Sequence, residues 1–236
     1  MTGGIAAWAL HEYFAMALAG RRLVEKAVAL IAGVGLMVPL VLGYYPVFVG
    51  GMTLLVFFFA CLFLLRHGTI QRVTGELALL LFGFLYISLP LAHLALLRDL
   101  AHGTRWVLLV LFMVMLNDSC AYFSGTFWGR KKLYPSVSPK KSVEGAIGGL
   151  VGSVLAAGVA HVTFMPWSGL VPLLLLGLVA GVVAELGDLF ESLLKRSFGV
   201  KDSGTLIPGH GGILDRLDSL LFAFPLTYYF ALWFQG

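Results

Sequence analysis

Long apolar runs, separated by short polar turns, follow one another along the whole chain. A run of about 18 or more apolar residues can cross a bilayer as a helix. Membrane β-strands need alternating positions, and runs such as VPLLLLGLVAGVVAEL do not alternate. The pattern predicts an all-α, polytopic transmembrane helical bundle that forms a single domain over residues 1–236. Seven long runs predict spans and a shorter, weaker run predicts an eighth, near residues 23–42, 45–65, 77–97, 106–124, 143–164, 168–187, 219–235 and, for the eighth, 5–19.

The composition excludes a soluble globular domain, because 59% of the residues are hydrophobic, 12% are charged and the mean hydropathy is +0.93. Cys61 and Cys120 both lie in apolar runs without a CxxC spacing, so we expect packing residues rather than a disulfide or a metal site. The first apolar stretch carries His11 and Glu12 in its middle and lacks a basic start, so no cleavable signal peptide is predicted.

The basic residues are unevenly divided between the two sides of the predicted bundle. Fourteen of the 16 Lys and Arg residues fall on one side, and Arg98 and Arg105 fall on the other. By the positive-inside rule the side with fourteen faces the cytoplasm, and with eight spans both termini lie outside. This placement explains the net charge of +4 better than nucleic-acid binding, which is not expected.

A first polar cluster follows the apolar run LLVLFMVML. Asn117 and Asp118 come first, and Tyr122 lies about one helical turn further on. An ionisable group inside a span normally faces a cavity or a partner, so we interpret Asp118 as functional rather than as an interfacial acid paired with a base. Gly125 and Gly129 would allow another helix or a ligand to approach closely.

A second cluster, YPSVSPKKSVEG, predicts a helix start at Ser138 and Pro139. Lys140 and Lys141 would then occupy the first turn, where the helix dipole favours acids. Two cations there indicate a docking site for an anion. The alternative is that these lysines, like Lys131 and Lys132, only set the topology.

A third cluster begins at AELGDLFESLLKRS. On a helix, Glu185, Asp188, Glu191 or Ser192, and Lys195 share one face. The face could simply be solvated, with Lys195 supporting an acid one turn earlier. Asp188 stands at the end of a long apolar run, however, where it is a good ligand for a hard cation such as Mg²⁺.

The stretch KDSGTLIPGHGGILDRLDS, residues 201–219, collects three acids, two bases, one histidine and four glycines. The glycines of PGHGG predict a turn that exposes backbone N–H groups. Acids there can hold metal, whereas Lys195, Arg196, Lys201 and Arg216 can hold phosphate. Metal-assisted phosphoryl or nucleotidyl transfer is the simplest interpretation, with the role of His210 left open.

Residues 192–219, SLLKRSFGVKDSGTLIPGHGGILDRLDS, resemble the signature of the phosphatidate cytidylyltransferase (CDP-diacylglycerol synthase) family. That signature reads S-x-x-K-R-x4-K-D-x-G-x2-[LIF]-P-x-H-G-G-x2-D-R-x-D, and every fixed element is present. GDLFES, which extends the signature region to 188–219, SPKKSVEG and DSCAYFSGTFWGR are similar to other blocks of the family. The resemblance covers roughly residues 105–236, and the earlier helices are similar only in general character.

The resemblance implies a phospholipid-synthesis enzyme that transfers the cytidylyl group of CTP to phosphatidate, giving CDP-diacylglycerol and pyrophosphate. The lipid phosphate would attack the CTP α-phosphorus in line. Asp188 and Asp215 would bind Mg²⁺, with room for a second, monovalent cation. The catalytic residues expected are Asp188, Asp215, Lys195, Arg216 and His210. The substrate-binding residues expected are Asn117, Asp118, Ser138, Lys140, Lys141, Arg196, Lys201 and Asp202.

Two alternatives stay open at this point: a CTP-dependent transferase for another lipid phosphate, such as an ether lipid, and an ion-coupled transporter. A transporter would spread its charges over several helices, which disfavours it here. The expected location is the bacterial inner (cytoplasmic) membrane, with the active site facing the cytoplasm, and a homodimer is the expected assembly. Family members usually carry one or two further helices before a segment resembling WALHEYFAM, so the chain is expected to be short at its N-terminus.

Overall fold

The computed structural model describes residues 2–20, 22–66, 68–204 and 211–235. These residues form α-helices joined by short turns, with one small antiparallel hairpin. In chain order the helices and strands are α1 (Thr2–Ala17), α2 (Leu23–Val41), α3 (Tyr45–Leu65), a 3₁₀ turn (Ile70–Arg72), α4 (Val73–Gly83), a π-helical segment (Phe84–Ser88), α5 (Leu89–Asp99), α6 (Gly103–Trp128), β1 (Lys132–Tyr134), β2 (Ser138–Ser142), α7 (Val143–Thr163), α8 (Leu170–Ser197) and α9 (Leu214–Gln235).

Seven helical segments of the described residues are long and apolar enough to cross a membrane, which confirms the seven spans predicted from long runs. Helix α1, predicted as an eighth span, is a 16-residue helix outside this set. Several helices are longer than the predicted spans, because they continue through polar residues that the hydropathy pattern does not include. The seven segments are Leu23–Val41, Tyr45–Leu65, Ile70–Asp99, Gly103–Trp128, Val143–Thr163, Leu170–Ser197 and Leu214–Phe234.

The sequence predicts one domain, and by its packing the chain divides into two compact units. The first comprises Met1–Ala95 with Asp202–Asp215, and the second comprises Leu96–Lys201 with Arg216–Gly236.

Helix α1 lies in the core of the first unit. Its residues Ala9, Leu10 and Tyr13 have no exposed surface, and the Tyr13 hydroxyl donates a hydrogen bond to the carbonyl of Leu79. A side chain on Gly83 would collide with the Phe14 and Tyr13 rings, so α4 and α1 are in direct contact there. Helix α1 is therefore a rigid support for the residues of its unit that pack on it.

Ion pairs join α2 and α4 of the first unit. Arg22, at the start of α2, donates from Nε to Glu76 at 2.7 Å and from Nη1 to Glu25 at 3.3 Å. Both glutamates are buried. Buried acids normally need such a partner, so Arg22 satisfies both.

In the second unit, helices α6, α7 and α8 pack closely through small residues. A Cβ on Gly152 of α7 would lie 2.6 Å from the carbonyl oxygen of Leu116 in α6. A Cβ on Gly187 of α8 would lie 2.6 Å from the carbonyl oxygen of Asp218 in α9. These contacts leave no room for a side chain, and they bring the polar ends of α6, α8 and α9 together.

The predicted helix start at Ser138 and Pro139 is wrong. Ser138–Ser142 is strand β2, which pairs with β1 so that Tyr134 faces Ser138 and Lys132 faces Ser142. The helix begins at Val143, and the Ser142 hydroxyl caps it by accepting from the N–H of Gly145 at 3.1 Å. Ser138 and Ser142 could each cap a helix in this segment. The helix forms at Ser142, where Glu144 supplies an acid in the first turn that the helix dipole favours.

Candidate active site

A cavity of about 480 Å³ opens in the second unit between α6, the hairpin, α7 and α8. Acidic and basic side chains line it together with small apolar residues. Its charged lining residues are Asp118, Lys132, Lys140, Lys141, Glu185 and Asp188. The predicted residues Asp118, Lys140, Lys141 and Asp188 therefore meet in one place, although Lys140 and Lys141 come from a strand rather than from a helix turn.

Lys141 holds the two acids of α8. Its Nζ lies 2.8 Å from Oδ2 of Asp188 and 3.1 Å from Oε2 of Glu185. Burial of the ammonium group lowers its pKa, but the charges of Asp188 and Glu185 outweigh this effect and raise the pKa above its ordinary value. Lys141 therefore stays protonated across the neutral range and occupies the place of a cation between two carboxylates.

The acids around Lys141 also interact with one another. Asp118 interacts electrostatically with Asp188 and Glu185, and Asp218 of α9 interacts with Asp188. Four carboxylates so placed repel one another, and a bound cation would relieve that repulsion.

The donors fit a hard divalent cation by their chemistry, since every one is a carboxylate oxygen. Among the described residues, however, no group of three or more His, Cys, Asp or Glu side chains already converges as a metal site. A Mg²⁺ ion needs only one or two carboxylates and completes its shell with water and phosphate oxygens. The arrangement is therefore compatible with Mg²⁺ bound together with a phosphate ligand.

The polar stripe of α8 forms as the spacing indicates. The Ser192 hydroxyl donates to Oδ1 of Asp188 at 3.4 Å, and Lys195 pairs with Glu191, which is 1% exposed. Lys195, predicted to be catalytic, thus supports an acid one turn earlier.

Other predicted substrate residues of the second unit lie outside the lining of this cavity. Asn117 has no exposed surface, and its Nδ2 donates to the carbonyl of Gly181 at 3.4 Å, so it links α6 to α8. Arg196 is exposed and donates from Nε to the carbonyl of Val137 at 3.5 Å. Ser138, Lys201 and Arg216 are described and belong to this unit, and their substrate roles stay predictions.

In the first unit, Asp215 organises the described part of the glycine-rich loop. Its Oδ2 accepts from the N–H of Ser203 at 2.9 Å, from the Ser203 hydroxyl at 2.8 Å and from the N–H of Gly212 at 2.7 Å. Gly211 has φ +78°, and a Cβ there would lie 2.5 Å from the same oxygen, so only glycine suits this position. Asp202 is exposed beside this loop. His210 lies outside the described residues.

Asp188 and Asp215, predicted together as metal ligands, belong to different compact units, so their joint role stays a prediction.

The sequence reasoning missed Glu12. This residue of α1 is 5% exposed, and its carboxylate accepts hydrogen bonds from the N–H groups of Ile213 and Leu214 at 3.1 and 2.9 Å. Of the N–H groups that PGHGG was expected to expose, that of Gly212 is used by the Asp215 carboxylate. A signal for it was present in the sequence, because a glutamate in the middle of an apolar helix needs a buried partner.

The helices and the charged cavity define an integral membrane protein of the polytopic α-helical class. The model of the cytidylyltransferase family matches residues 1–234, and the chain belongs to this family. The chain is 38% identical over 175 residues to the phosphatidate cytidylyltransferase of Bacillus subtilis, covering 72% of this chain and 65% of the relative. It is 44% identical over 137 residues to the enzyme of that name from Haemophilus influenzae (56% and 48% covered) and 45% identical over 127 residues to that from Staphylococcus aureus (53% and 48% covered). The chain thus spans about half to two thirds of the length of these relatives.

Proposed function

We propose that this protein transfers the cytidylyl group of CTP to phosphatidate, giving CDP-diacylglycerol and pyrophosphate for phospholipid synthesis. The observation that carries the proposal is the cavity in which Lys141 bridges Asp188 and Glu185 beside two further lysines, Lys132 and Lys140. Such a site combines carboxylates for a cation with ammonium groups for phosphates. Membership of the cytidylyltransferase family, and the names of the relatives, support the choice of CTP and phosphatidate.

In the proposed reaction, a phosphate oxygen of phosphatidate forms a bond to the α-phosphorus of CTP. The bond from that phosphorus to the bridging oxygen of the β-phosphate breaks, and pyrophosphate leaves with the electron pair. The nucleophile is already an anion, so the step needs little general base and assigns no such role to His210. Lys132, Lys140 and Lys141 would neutralise the phosphates and hold them in line, which supplies orientation and charge stabilisation.

Asp188 and Asp215 are the proposed ligands of Mg²⁺, with Asp118 and Glu185 close to Asp188 in its unit. When bound, the metal supplies positive charge that polarises the phosphoryl oxygens. A second, monovalent cation would reduce the remaining repulsion among these acids.

The proposed location is the bacterial inner membrane, with the cavity at its cytoplasmic face. Fourteen of the 16 basic residues support this orientation. CTP would then arrive from water, and the lipid phosphate would arrive laterally from the bilayer interface. A homodimer stays a prediction.

The test is transfer of label from radioactive CTP into lipid by the purified chain in mixed micelles with phosphatidate, with and without Mg²⁺. Asp188→Asn and Asp215→Asn are compared with Asp99→Asn, an exposed acid at the end of α5 that does not line the cavity. We expect lipid-soluble label that requires phosphatidate and Mg²⁺, is lost in the first two variants and persists in the third.

Label that enters an ether-lipid phosphate but not phosphatidate would replace the proposed substrate. Label that enters without added metal, after treatment with a chelator, would contradict the metal requirement. Full activity of Asp188→Asn would show that the cavity is not the site of transfer.

A further inference from the structure

Glu12 lies at the centre of a hydrogen-bonded cluster in the first unit, far along the chain from the signature residues it contacts. Its Oε1 accepts from the Trp8 indole at 3.0 Å and from the N–H of Ile213 at 3.1 Å. Its Oε2 accepts from the N–H of Leu214 at 2.9 Å and lies 3.2 Å from the Ser203 hydroxyl. A carboxylate offers about four acceptor sites, and four donors surround this one.

The two backbone donors are the N–H of Leu214, where α9 begins, and the N–H of Ile213 immediately before it. The first N–H groups of a helix have no partner inside it and normally take one from a capping residue close by. Here Glu12 supplies that cap from α1, and its negative charge suits the positive end of the helix. The cap therefore ties Ile213 and Leu214 to the buried core of the first unit, to which both belong.

Two glycines of the signature, Gly204 and Gly212, lie against the Glu12 carboxylate. A Cβ on Gly204 would lie 2.7 Å from Oε1 of Glu12, and a Cβ on Gly212 would lie 2.3 Å from Oε2. Both distances are shorter than a Cβ atom approaches a heavy atom that is not bonded to it. The loop thus has room for Glu12 only because these two positions lack side chains.

Ser203 connects Glu12 to Asp215. The Ser203 hydroxyl lies within hydrogen-bond distance of both carboxylates, at 3.2 Å from Glu12 and 2.8 Å from Asp215, and its N–H also donates to Asp215. The hydroxyl carries one proton and donates to one acid at a time. Movement of Glu12 therefore alters the donors that hold Oδ2 of Asp215.

We infer that Glu12 is a positioning residue: it fixes Ser203, Gly204 and Gly212–Leu214 on α1 and thereby orients the Asp215 carboxylate for cytidylyl transfer. The role in transfer rests on the proposed function, whereas the anchoring of the loop does not. The described partners of Glu12 are Trp8, Ser203 and the N–H groups of Ile213 and Leu214, so we expect its removal to act through the geometry of the loop.

The test combines hydrogen exchange of the full chain in detergent with steady-state kinetics. Glu12→Gln keeps the size of the side chain but replaces one acceptor oxygen with an NH₂ group, which opposes a backbone N–H. We expect exchange at the amides of Ile213 and Leu214 to accelerate about tenfold or more, since hydrogen bonds to charged groups are the stronger ones. Exchange in α2 and α7 should stay as in the parent chain.

The same variant should lower kcat by about 10- to 100-fold, the range for partners that orient a ligating side chain, with little change in KM for CTP or phosphatidate. Glu12→Asp keeps the charge on a shorter side chain and should recover part of both kcat and amide protection. The matched control is Glu25→Gln, another buried glutamate of the first unit, which bonds to Arg22 and not to the loop. It should leave exchange at Ile213 and Leu214 unchanged.

Unchanged exchange at Ile213 and Leu214 in Glu12→Gln would overturn the anchor. Faster exchange with an unchanged kcat would overturn the positioning role, and so would an equal acceleration in Glu25→Gln, because it would indicate general loosening of the unit. Absence of transfer by the parent chain would overturn the proposed function and the positioning role with it. The exchange experiment needs no turnover and would still decide whether Glu12 holds the loop.

Discussion

Replacing Gly204 by alanine places a methyl group against the carboxylate of Glu12. The three atoms nearest to an ideal Cβ at Gly204 all belong to that side chain: Oε1 at 2.7 Å, Cδ at 2.9 Å and Cγ at 3.2 Å. Gly204, unlike Gly211, does not have the left-handed backbone that favours glycine, so alanine introduces no backbone strain. Any penalty at this position therefore comes from one identified neighbour.

The size of the penalty depends on whether Glu12 can move. A free glutamate would rotate away, but this one accepts hydrogen bonds from Trp8, Ile213 and Leu214. Inserting a methyl group into such a packed site costs about 1–3 kcal/mol. For a chain of this length each kcal/mol lowers Tm by about 2–4 °C.

The assay is a double-mutant cycle on thermal unfolding in detergent. Gly204→Ala should lower Tm in the parent chain, but in the Glu12→Ala background it should change stability by no more than about 0.5 kcal/mol, the usual limit for uncoupled sites. Gly75→Ala is the control, because a Cβ at Gly75 meets nothing within 4 Å. The reasoning is refuted if Gly204→Ala leaves the parent Tm unchanged, or if its penalty is the same in both backgrounds.

Three further changes test the second unit. Lys141→Met removes the cation between two carboxylates and should lower kcat in the labelled-CTP assay by about 100-fold or more, so a fully active variant would contradict its role. Ser142→Ala removes the cap on the N–H of Gly145 and should cost about 1 kcal/mol, measured as a lower Tm in detergent; an unchanged Tm would show that the cap is dispensable. Gly187→Ala directs a Cβ at the carbonyl oxygen of Asp218, which cannot move aside as a side chain can, and should lower Tm by more than Ser142→Ala; the reverse order would contradict this packing.

The seven spans were predictable because hydropathy over some twenty residues is a local property of the sequence. The shared face of Asp188, Ser192 and Lys195 was predictable for the same reason, since helical spacing alone brings these residues together. Helix α1 shows the limit of that signal: it is too short to count as a span, yet several of its residues are fully buried.

The N-cap of α7 was predicted at Ser138, four residues before the actual cap Ser142, because Ser followed by Pro is a favourable N-terminal pair on its own. In the structure Ser138–Ser142 pairs with β1 as strand β2 instead, so the strand pairing overrides that local preference. The cap at Ser142 then follows from the end of the strand. A contact between two strands is not visible in the local pattern, so the error could not be corrected from sequence spacing.

Glu12 and the loop at Gly212 are about two hundred residues apart, and their pairing has no local signal at all. Each part of the sequence indicated something on its own. An acid in an apolar helix needs a partner, and glycines near Asp215 indicate that another group approaches the backbone closely. The two hints explain each other only when the fold places them together.

Glu12 and Asp215 of the first unit differ from Asp188 and Glu185 of the second in the partners that hold them, and the difference bears on the proposed chemistry. Glu12 and Oδ2 of Asp215 each accept two backbone N–H groups, which cannot leave without unfolding the loop. Asp188 and Glu185 accept the ammonium group of Lys141, which sits on a long flexible side chain and can turn toward another anion. Asp188 and Glu185 are therefore acids whose present partner can be exchanged for a cation, and in the proposed reaction the released lysine would neutralise a phosphate that accompanies that cation.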